Sequence, residues 1–277
     1  MTPDEYCQEK AAQSGSSFYY SFLFLPPEKR RAITALYAYC REVDDVVDEV
    51  KDTGLARVKL AWWRTEVANL FAGNPQHPVG HALLPFIAPL NLRAEQFNEI
   101  IDGMEMDLSH HRYADFETLQ IYCYRVAAVV GGLSATIFGY TDPATLNYAH
   151  DLGMAFQLTN IIRDVGEDAR RNRIYLPQDE LHRFQVSSTD LLHGVETDNF
   201  RALMTFQAGR AKDYYARAQA ALPAVDRKAQ RAGLIMAAIY RTLLDEIERE
   251  RFAVLNQRIA LTPLRKLWIA WKTWLKP

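Results

Sequence analysis

The stretch REVDDVVD, residues 41–48, decides both the fold and the chemistry expected of this chain. It belongs to a longer segment, residues 28–50, in which apolar residues recur at helical spacing. On a helix, Asp44 and Asp48 lie one turn apart on one face, with Asp45 beside them. Like charges at this spacing destabilise a bare helix by about a few tenths of a kcal/mol, so we expect a divalent cation to offset them. A solvated acidic face is the alternative, although the flanking valines leave little room for one.

A second acidic cluster lies far along the chain, in QLTNIIRDVGED, residues 157–168. Asp164 and Asp168 are again one turn apart, and Gln157 and Asn160 lie on adjacent turns of roughly the same face. Two sets of oxygen ligands facing each other across a cavity suit Mg²⁺ rather than zinc, which prefers cysteine and histidine. Nearby arginines could bind diphosphate oxygens, with structural ion pairing as the alternative; they are Arg41, Arg163, Arg170, Arg171 and Arg173.

The rest of the chain repeats the helical spacing and has almost no strand-like alternation. Further helical patterns run over residues 60–71, 97–108, 122–138, 146–165, 200–222 and 235–255, with prolines and Gly/Asn turns between them. These patterns predict an all-α bundle of roughly eight to ten helices around an apolar cavity. No repeat or linker divides the sequence, so residues 1–277 are predicted to form one domain.

Composition and charge exclude several classes of protein. The 277 residues are 49% apolar with 13 glycines and 12 prolines, which is a globular composition. A net charge of -2 gives no overall field for nucleic acid, so no nucleic-acid partner is expected. Three cysteines without paired spacing favour a reducing cytoplasm. There is no leader-like N-terminus and no run of about 18 uncharged apolar residues, so neither export nor a membrane span is expected.

These residues together resemble the squalene/phytoene synthase family. The resemblance runs along nearly the whole chain in the family's order, and it rests on residues 16–19, 25–26, 36–38, 41–48, 122–127 and 160–177. Within the family, the chain is most similar to bacterial presqualene diphosphate synthases of hopanoid pathways, through residues 14–20, 59–64 and 102–107. The resemblance implies one all-α isoprenoid synthase bundle around a central apolar cavity.

The resemblance also implies roles for individual residues. Three Mg²⁺ ions would be held by Asp44, Asp45, Asp48, Asp164 and Asp168, with Gln157 and Asn160 assisting. Diphosphate oxygens would be contacted by Ser17, Arg41, Arg163, Tyr175, Tyr240 and Arg258. The prenyl chains would lie along Phe18, Tyr37, Tyr122, Val126, Val130 and Leu133, although an apolar stripe of this kind is also typical of an ordinary core. Either Tyr122 or the released diphosphate would accept the proton lost in the reaction.

The implied reaction is the Mg²⁺-dependent head-to-head condensation of two farnesyl diphosphates to presqualene diphosphate, which squalene-forming enzymes would then consume. Phytoene, dehydrosqualene or squalene synthesis by the same family is the near alternative. A non-catalytic assembly factor is an alternative of another class, but it should have lost its aspartates. A terpene cyclase should carry an Asn/Ser/Glu triad in place of the second cluster. No Gly-rich dinucleotide fingerprint follows a strand, so NADPH is not expected as a cofactor.

The end of the sequence, residues 264–276, combines tryptophans at helical spacing with interspersed lysine and arginine. A helix of this kind can lie in a membrane interface. A terminal helix that simply docks on the bundle of a cytoplasmic protein is the favoured interpretation, and peripheral contact with the inner face of the membrane is the alternative.

Overall fold

The protein is described by a computed structural model covering residues 1–13 and 17–275, without the side chains of Ser17 and Tyr19. Within these residues there are fourteen α-helices, no β-strand and one isolated bridge between Arg112 and Ile174. The all-α prediction is confirmed. The helices are α1 (Pro3–Gln13), α2 (Ser17–Phe22), α3 (Pro27–Glu49), α4 (Thr53–Phe71), α5 (Pro78–Ile87), α6 (Ala94–Asp107), α7 (Phe116–Cys123), α8 (Val129–Phe138), α9 (Thr145–Arg170), α10 (Gln178–Arg183), α11 (Ser188–Leu192), α12 (Asp198–Ala221), α13 (Arg231–Arg249) and α14 (Pro263–Trp274).

The two helices that carry the acidic clusters each run through one half of the core. Helix α3 starts with a proline, whose fixed φ suits a first helical position. Its buried face, which includes Leu36 and Val43, packs with α4, α5 and α6. Helix α9 is buried along most of its length and packs with α8, α12 and α13. The sequence periodicity therefore located both helices to within a few residues, and each one anchors its cluster on a rigid element.

A π-helical segment, Tyr124–Ala128, joins α7 to α8 in one continuous helix. It is held between α6 and α9 at two glycines. A Cβ on Gly103 would lie 2.6 Å from Val126 Cγ1, and a Cβ on Gly153 would lie 2.6 Å from the Ala127 carbonyl oxygen. Only glycine permits these approaches. Such π segments are frequent at functional sites, and this one turns Val126 and Ala127 toward the central cavity.

The continuous helix Phe116–Phe138 is long and apolar enough to cross a membrane by length and composition, with a mean hydropathy of 1.5. No membrane span is expected from the sequence here, because Glu117 and Arg125 interrupt the apolar run. In the structure the helix packs among α6, α9 and the rest of the bundle, with Cys123 and Leu133 fully buried. Core packing accounts for its apolar composition.

Several elements differ from the sequence predictions. The count of eight to ten helices is too low, because α1, α2, α10 and α11 are short or weakly patterned. Pro85, expected to break a helix, lies inside α5, whose Val79 and Leu83 are buried. The predicted helix 235–255 ends at Arg249, where Arg251 and Phe252 adopt left-handed φ values of 54° and 58°. The prediction of a single domain stays a prediction.

Candidate active site

The ends of α3 and α9 meet through ion pairs that join the two acidic clusters. Asp48, near the end of α3, accepts a hydrogen bond of 2.9 Å from Arg173 Nη1 and lies 3.1 Å from Arg171 Nη1. Arg173 also donates to the Val47 carbonyl oxygen at 3.0 Å. Both arginines follow directly after α9. The structure therefore brings together two motifs that are more than a hundred residues apart in the sequence.

Arginines also pair with the other aspartates of the clusters. Arg41 Nη1 lies 2.5 Å from Asp44 Oδ2 within α3. Arg163 Nε donates to Asp164 Oδ1 at 2.8 Å, and Arg258 Nε approaches the same oxygen at 3.4 Å. The like-charge repulsion that we expected a cation to offset is offset by guanidinium groups in this structure. The structural ion pairing that the sequence left open is thus present.

Asp45, which stays a predicted metal ligand, has two cationic partners in the structure. Its Oδ1 lies 2.5 Å from Arg41 Nη2, and its Oδ2 lies 2.8 Å from Lys10 Nζ on α1. Lys10 also pairs with Glu42 at 3.0 Å. These contacts fasten α1 to α3, which gives Asp45 a structural partner that the motif alone could not reveal.

Burial raises the pKa of three carboxyl groups in the site. The pKa of Asp44 rises to about 7 through burial, with Asp48 and Asp107 adding to the rise and Arg41 opposing it. The pKa of Asp168 rises to about 8 through burial, with the charges of Asp164 and Asp107 adding. Asp107 thus acts electrostatically on the clusters of both helices, and burial raises its own pKa to about 6. The local surplus of negative charge is what a cationic ligand would relieve.

Asp107, at the end of α6, is a site residue that the sequence analysis did not assign. Its Oδ1 accepts a hydrogen bond of 2.7 Å from the Tyr175 hydroxyl, and its Oδ2 accepts one of 3.0 Å from the Tyr122 hydroxyl. Both predicted catalytic tyrosines therefore share one buried carboxylate. The available signal was the run 102–107: Asp102 and Glu105 pair with Arg64 on α4, whereas Asp107 turns inward.

An apolar cavity of about 190 Å³ lies between the two halves of the core. It is lined by six of the residues predicted to bind substrate, which are Phe18, Tyr37, Val126, Val130, Gln157 and Asn160. Gln157 and Asn160 come from α9, where Arg163 and Asp164 follow within about one turn. The acidic clusters therefore stand at the polar end of the cavity.

Among the described side chains, the predicted residues Leu133, Tyr122, Tyr240 and Arg258 do not line this cavity. Leu133 is fully buried in the core beside α3 and α6, and Ser134 faces the cavity in its place. Tyr122 lies in the tyrosine cluster with Asp107, and Arg258 lies at Asp164. The side chain of Ser17 lies outside the described residues.

Tyr240 on α13 links the cavity to the second acidic cluster. Its ring lies 4.9 Å from that of Phe156 and 6.0 Å from that of Phe18. Burial raises the pKa of Tyr240, and the neighbouring Arg163 guanidinium opposes this rise. Its hydroxyl is thus a protonated donor beside an arginine, as contact with a diphosphate oxygen would require.

The residues at this site fit Mg²⁺ in their chemistry. The donors are carboxylates, and the buried Asn160 Oδ1 has no hydrogen-bond partner among the described residues. As the side chains stand, no group of three or more His, Cys, Asp or Glu in the described part of the chain could hold a metal ion. Arginines pair with Asp44, Asp48 and Asp164 in this structure.

The helical bundle, with facing aspartate clusters above an apolar cavity, defines the chain as an isoprenoid synthase. Residues 11–265 match the family model for squalene/phytoene synthase, and the chain belongs to this family. Members act on prenyl diphosphates and use a divalent metal ion. The chain is 39% identical to a 15-cis-phytoene synthase of Synechococcus elongatus, over 95% of its own length and 89% of the relative's.

Two solved structures show the same fold. A dehydrosqualene synthase in complex with a ligand aligns with a TM-score of 0.90 and 27% identity, covering 98% of this chain and 95% of that one. A squalene synthase, HpnC, from Alicyclobacillus acidocaldarius aligns with a TM-score of 0.81 and 28% identity, covering 90% of this chain and 94% of that one. The family prediction made from the sequence is confirmed.

Proposed function

We propose that this protein joins two prenyl diphosphates head to head, with release of diphosphate. The observation that carries the proposal is the meeting of two arginine-paired aspartate clusters at the polar end of one apolar cavity. An anionic diphosphate fits the arginines, and a hydrocarbon chain fits the cavity. A non-catalytic relative would not need aspartate clusters, arginines and an apolar cavity in this combination.

The polar end has groups for holding the departing diphosphate. Asp44, Asp48, Asp164 and Asp168, with Asn160, would hold Mg²⁺, for which we propose three ions. When bound, Mg²⁺ stabilises the negative charge that develops on the leaving oxygens. Released from their carboxylates, the guanidinium groups would bind the same oxygens in a bidentate manner; they are Arg41, Arg163, Arg171, Arg173 and Arg258.

The cavity would protect the allylic cation that forms when the C1–O bond breaks. Its walls are largely aliphatic and aromatic, with Phe18, Tyr37 and Phe156 among them. Apolar walls exclude water, which would otherwise quench the cation, and aromatic faces stabilise positive charge. The double bond of the second chain then bonds to C1, and loss of a proton closes a cyclopropane that retains one diphosphate.

The tyrosine cluster offers one route for that proton. The Tyr122 hydroxyl could accept it at Oη while passing its own proton to Asp107 Oδ2, 3.0 Å away. Burial and the Asp107 carboxylate hold the pKa of Tyr122 well above its ordinary value, so the phenol needs such a relay to act as a base. The released diphosphate is the other acceptor.

Two products are compatible with this chemistry, and each has its own support. Relatives called phytoene synthases, with 35–39% identity, favour two C20 chains. The sequence resemblance to presqualene diphosphate synthases favours two C15 chains and presqualene diphosphate, and bulky Phe22 and Phe138 lie in the cavity lining. We expect neither reaction to need NADPH.

The test is incubation of the purified protein with Mg²⁺ and either farnesyl or geranylgeranyl diphosphate, with and without NADPH, followed by mass analysis. A C30 product that retains diphosphate supports farnesyl diphosphate as the substrate, and a C40 hydrocarbon supports geranylgeranyl diphosphate. Squalene formed only with NADPH would reassign the product. Asp151→Asn, on the far part of α9, serves as the control that keeps activity, and Asp168→Asn as the variant that loses it. No condensation product from either substrate would refute the proposal.

We also propose that α14 lies against the inner face of the membrane. Its apolar side chains are exposed, with Trp268 at 59% and Trp271 at 46%, and the described part of α14 contains no acidic residue. This basic, apolar surface matches an anionic membrane. Trp268→Ser/Trp271→Ser should release the protein from vesicles, whereas Trp62→Ser, also 46% exposed but on α4, should not. Equal binding by both variants would contradict the contact.

A further inference from the structure

A second cavity, of about 460 Å³, lies among α9, α12, α13 and α14 and is separate from the acidic clusters. Four cationic side chains line it, which are Arg227, Lys228, Arg231 and Arg241. No acidic residue is among its described lining. We call it the α13 basin. In a chain with a net charge of -2, four cations around one cavity form a pronounced local surplus of positive charge.

Most of these cations have no carboxylate partner. Arg227, Lys228 and Arg241 form no ion pair anywhere in the described part of the chain, and all three are exposed. Arg231 lies with its guanidinium 6.0 Å from the Trp274 ring of α14. Guanidinium groups without carboxylates are available to bind phosphate oxygens.

The floor of the basin is apolar and contains one orphaned polar group. Leu152, Leu234 and Tyr215 contribute apolar surface. The Tyr148 side chain, which lies between the basin and the central cavity, is 98% buried, and its hydroxyl has no hydrogen-bond partner among the described residues. Arg227 acts on this hydroxyl electrostatically, opposing the rise that burial causes in the pKa of Tyr148. A buried hydroxyl without a partner is costly unless a ligand satisfies it.

We propose that the α13 basin binds the phosphate group of an anionic amphiphile, with the phosphate on the cationic rim and the apolar part on the floor. Two molecules share this chemistry: an anionic phospholipid of the membrane, or a prenyl diphosphate from solution. Thr273 of α14 lines the basin, so a lipid beneath α14 would reach it directly. Only the lipid source rests on the membrane contact proposed above. The site itself does not.

The experiment compares Arg227→Gln/Lys228→Gln with a matched control, Arg57→Gln/Lys59→Gln, which removes two exposed cations from α4. One arm measures flotation with vesicles of phosphatidylglycerol and phosphatidylcholine, and with phosphatidylcholine alone. The other titrates farnesyl diphosphate in EDTA by calorimetry. The basin variant should bind about 25-fold more weakly in one arm, since each of the two cations near an anionic surface contributes a factor of about five, while the control stays within about twofold of the wild type.

Each outcome decides the proposal. If the basin variant loses binding only to the phosphatidylglycerol vesicles, the ligand of the basin is an anionic phospholipid. If it loses binding of farnesyl diphosphate in the calorimeter, the ligand is a prenyl diphosphate. Equal behaviour of the basin variant and the control in both arms would overturn the site. Tyr148→Phe keeps every charge and should weaken the same binding severalfold. If it binds like the wild type, the site as described is wrong. Binding to pure phosphatidylcholine reports α14 alone, so failure of the membrane proposal is distinguishable from failure of the basin.

Discussion

Replacing Asp168 by asparagine should stabilise the metal-free protein while abolishing turnover. Burial, together with the charges of Asp164 and Asp107, raises the pKa of this carboxyl from 3.8 to about 8. The folded state therefore binds a proton that the unfolded chain releases. Stability must then fall as the pH rises from about 4 to about 8. Asparagine has no proton to lose and escapes this cost.

The size of the effect follows from the shift. At about 1.36 kcal/mol for each pH unit above the unfolded pKa, the cost at pH 7 is at most about 4 kcal/mol, and at pH 5 about 2 kcal/mol. The Asp168 side chain retains some exposure to solvent, so screening reduces the gain at pH 7 to about 2–3 kcal/mol. The gain should shrink by more than half at pH 5.

The measurement is urea unfolding in EDTA at pH 5 and pH 7, followed by circular dichroism. Asp151→Asn is the matched control, because it lies on the same helix with the opposite electrostatics. Burial opposes the shift, but hydrogen bonds from Arg217 and His150 hold the pKa of Asp151 below its ordinary value. This substitution should cost about 1 kcal/mol at pH 7.

A loss of stability in Asp168→Asn at pH 7 would refute the electrostatic reasoning. A gain that is equal at both pH values would also refute it, because it would reflect a new hydrogen bond rather than the removal of a charge. Wild-type turnover in this variant would remove Asp168 from the proposed metal ligands.

Three further predictions concern the same site. Asp48→Ala should lose product formation but keep its helical circular dichroism, and turnover at the wild-type rate would contradict its role. Asp107→Asn should lower kcat about tenfold, because Tyr122 and Tyr175 lose a charged acceptor; Asp102→Asn, which pairs with Arg64 near the surface, should behave like the wild type. Mg²⁺ with inorganic diphosphate should raise the Tm by several degrees by mass action, and no shift at saturation would count against the site.

The features that could be predicted from the sequence are those set by local spacing. The helical periodicity around residues 28–50 and 146–165 located α3 and α9, and the spacing of Asp44 from Asp48 and of Asp164 from Asp168 placed each pair on one face. The family resemblance then paired the two clusters. Each of these features depends either on residues within a few helical turns of each other or on short contiguous motifs that carry the family resemblance.

The features that could not be predicted depend on contacts between distant segments. Nothing near Asp107 indicates that its partners are Tyr122 and Tyr175, which belong to other elements. The pairing of Asp48 with Arg173 links positions 125 residues apart. Pro85 is tolerated in α5 because neighbouring residues are buried against other helices, which outweighs its helix-breaking preference.

The arginine–aspartate pairs have a consequence for which ligands the resting site can accept. Asp44, Asp48 and Asp164 each have a guanidinium partner in this structure, so a cation alone would have to displace an arginine, and an anion alone would have to displace a carboxylate. A ligand that carries both signs can exchange with both members at once, leaving every charge compensated. We therefore expect positive cooperativity between the two ligands: the metal ion and the diphosphate should each bind more tightly in the presence of the other.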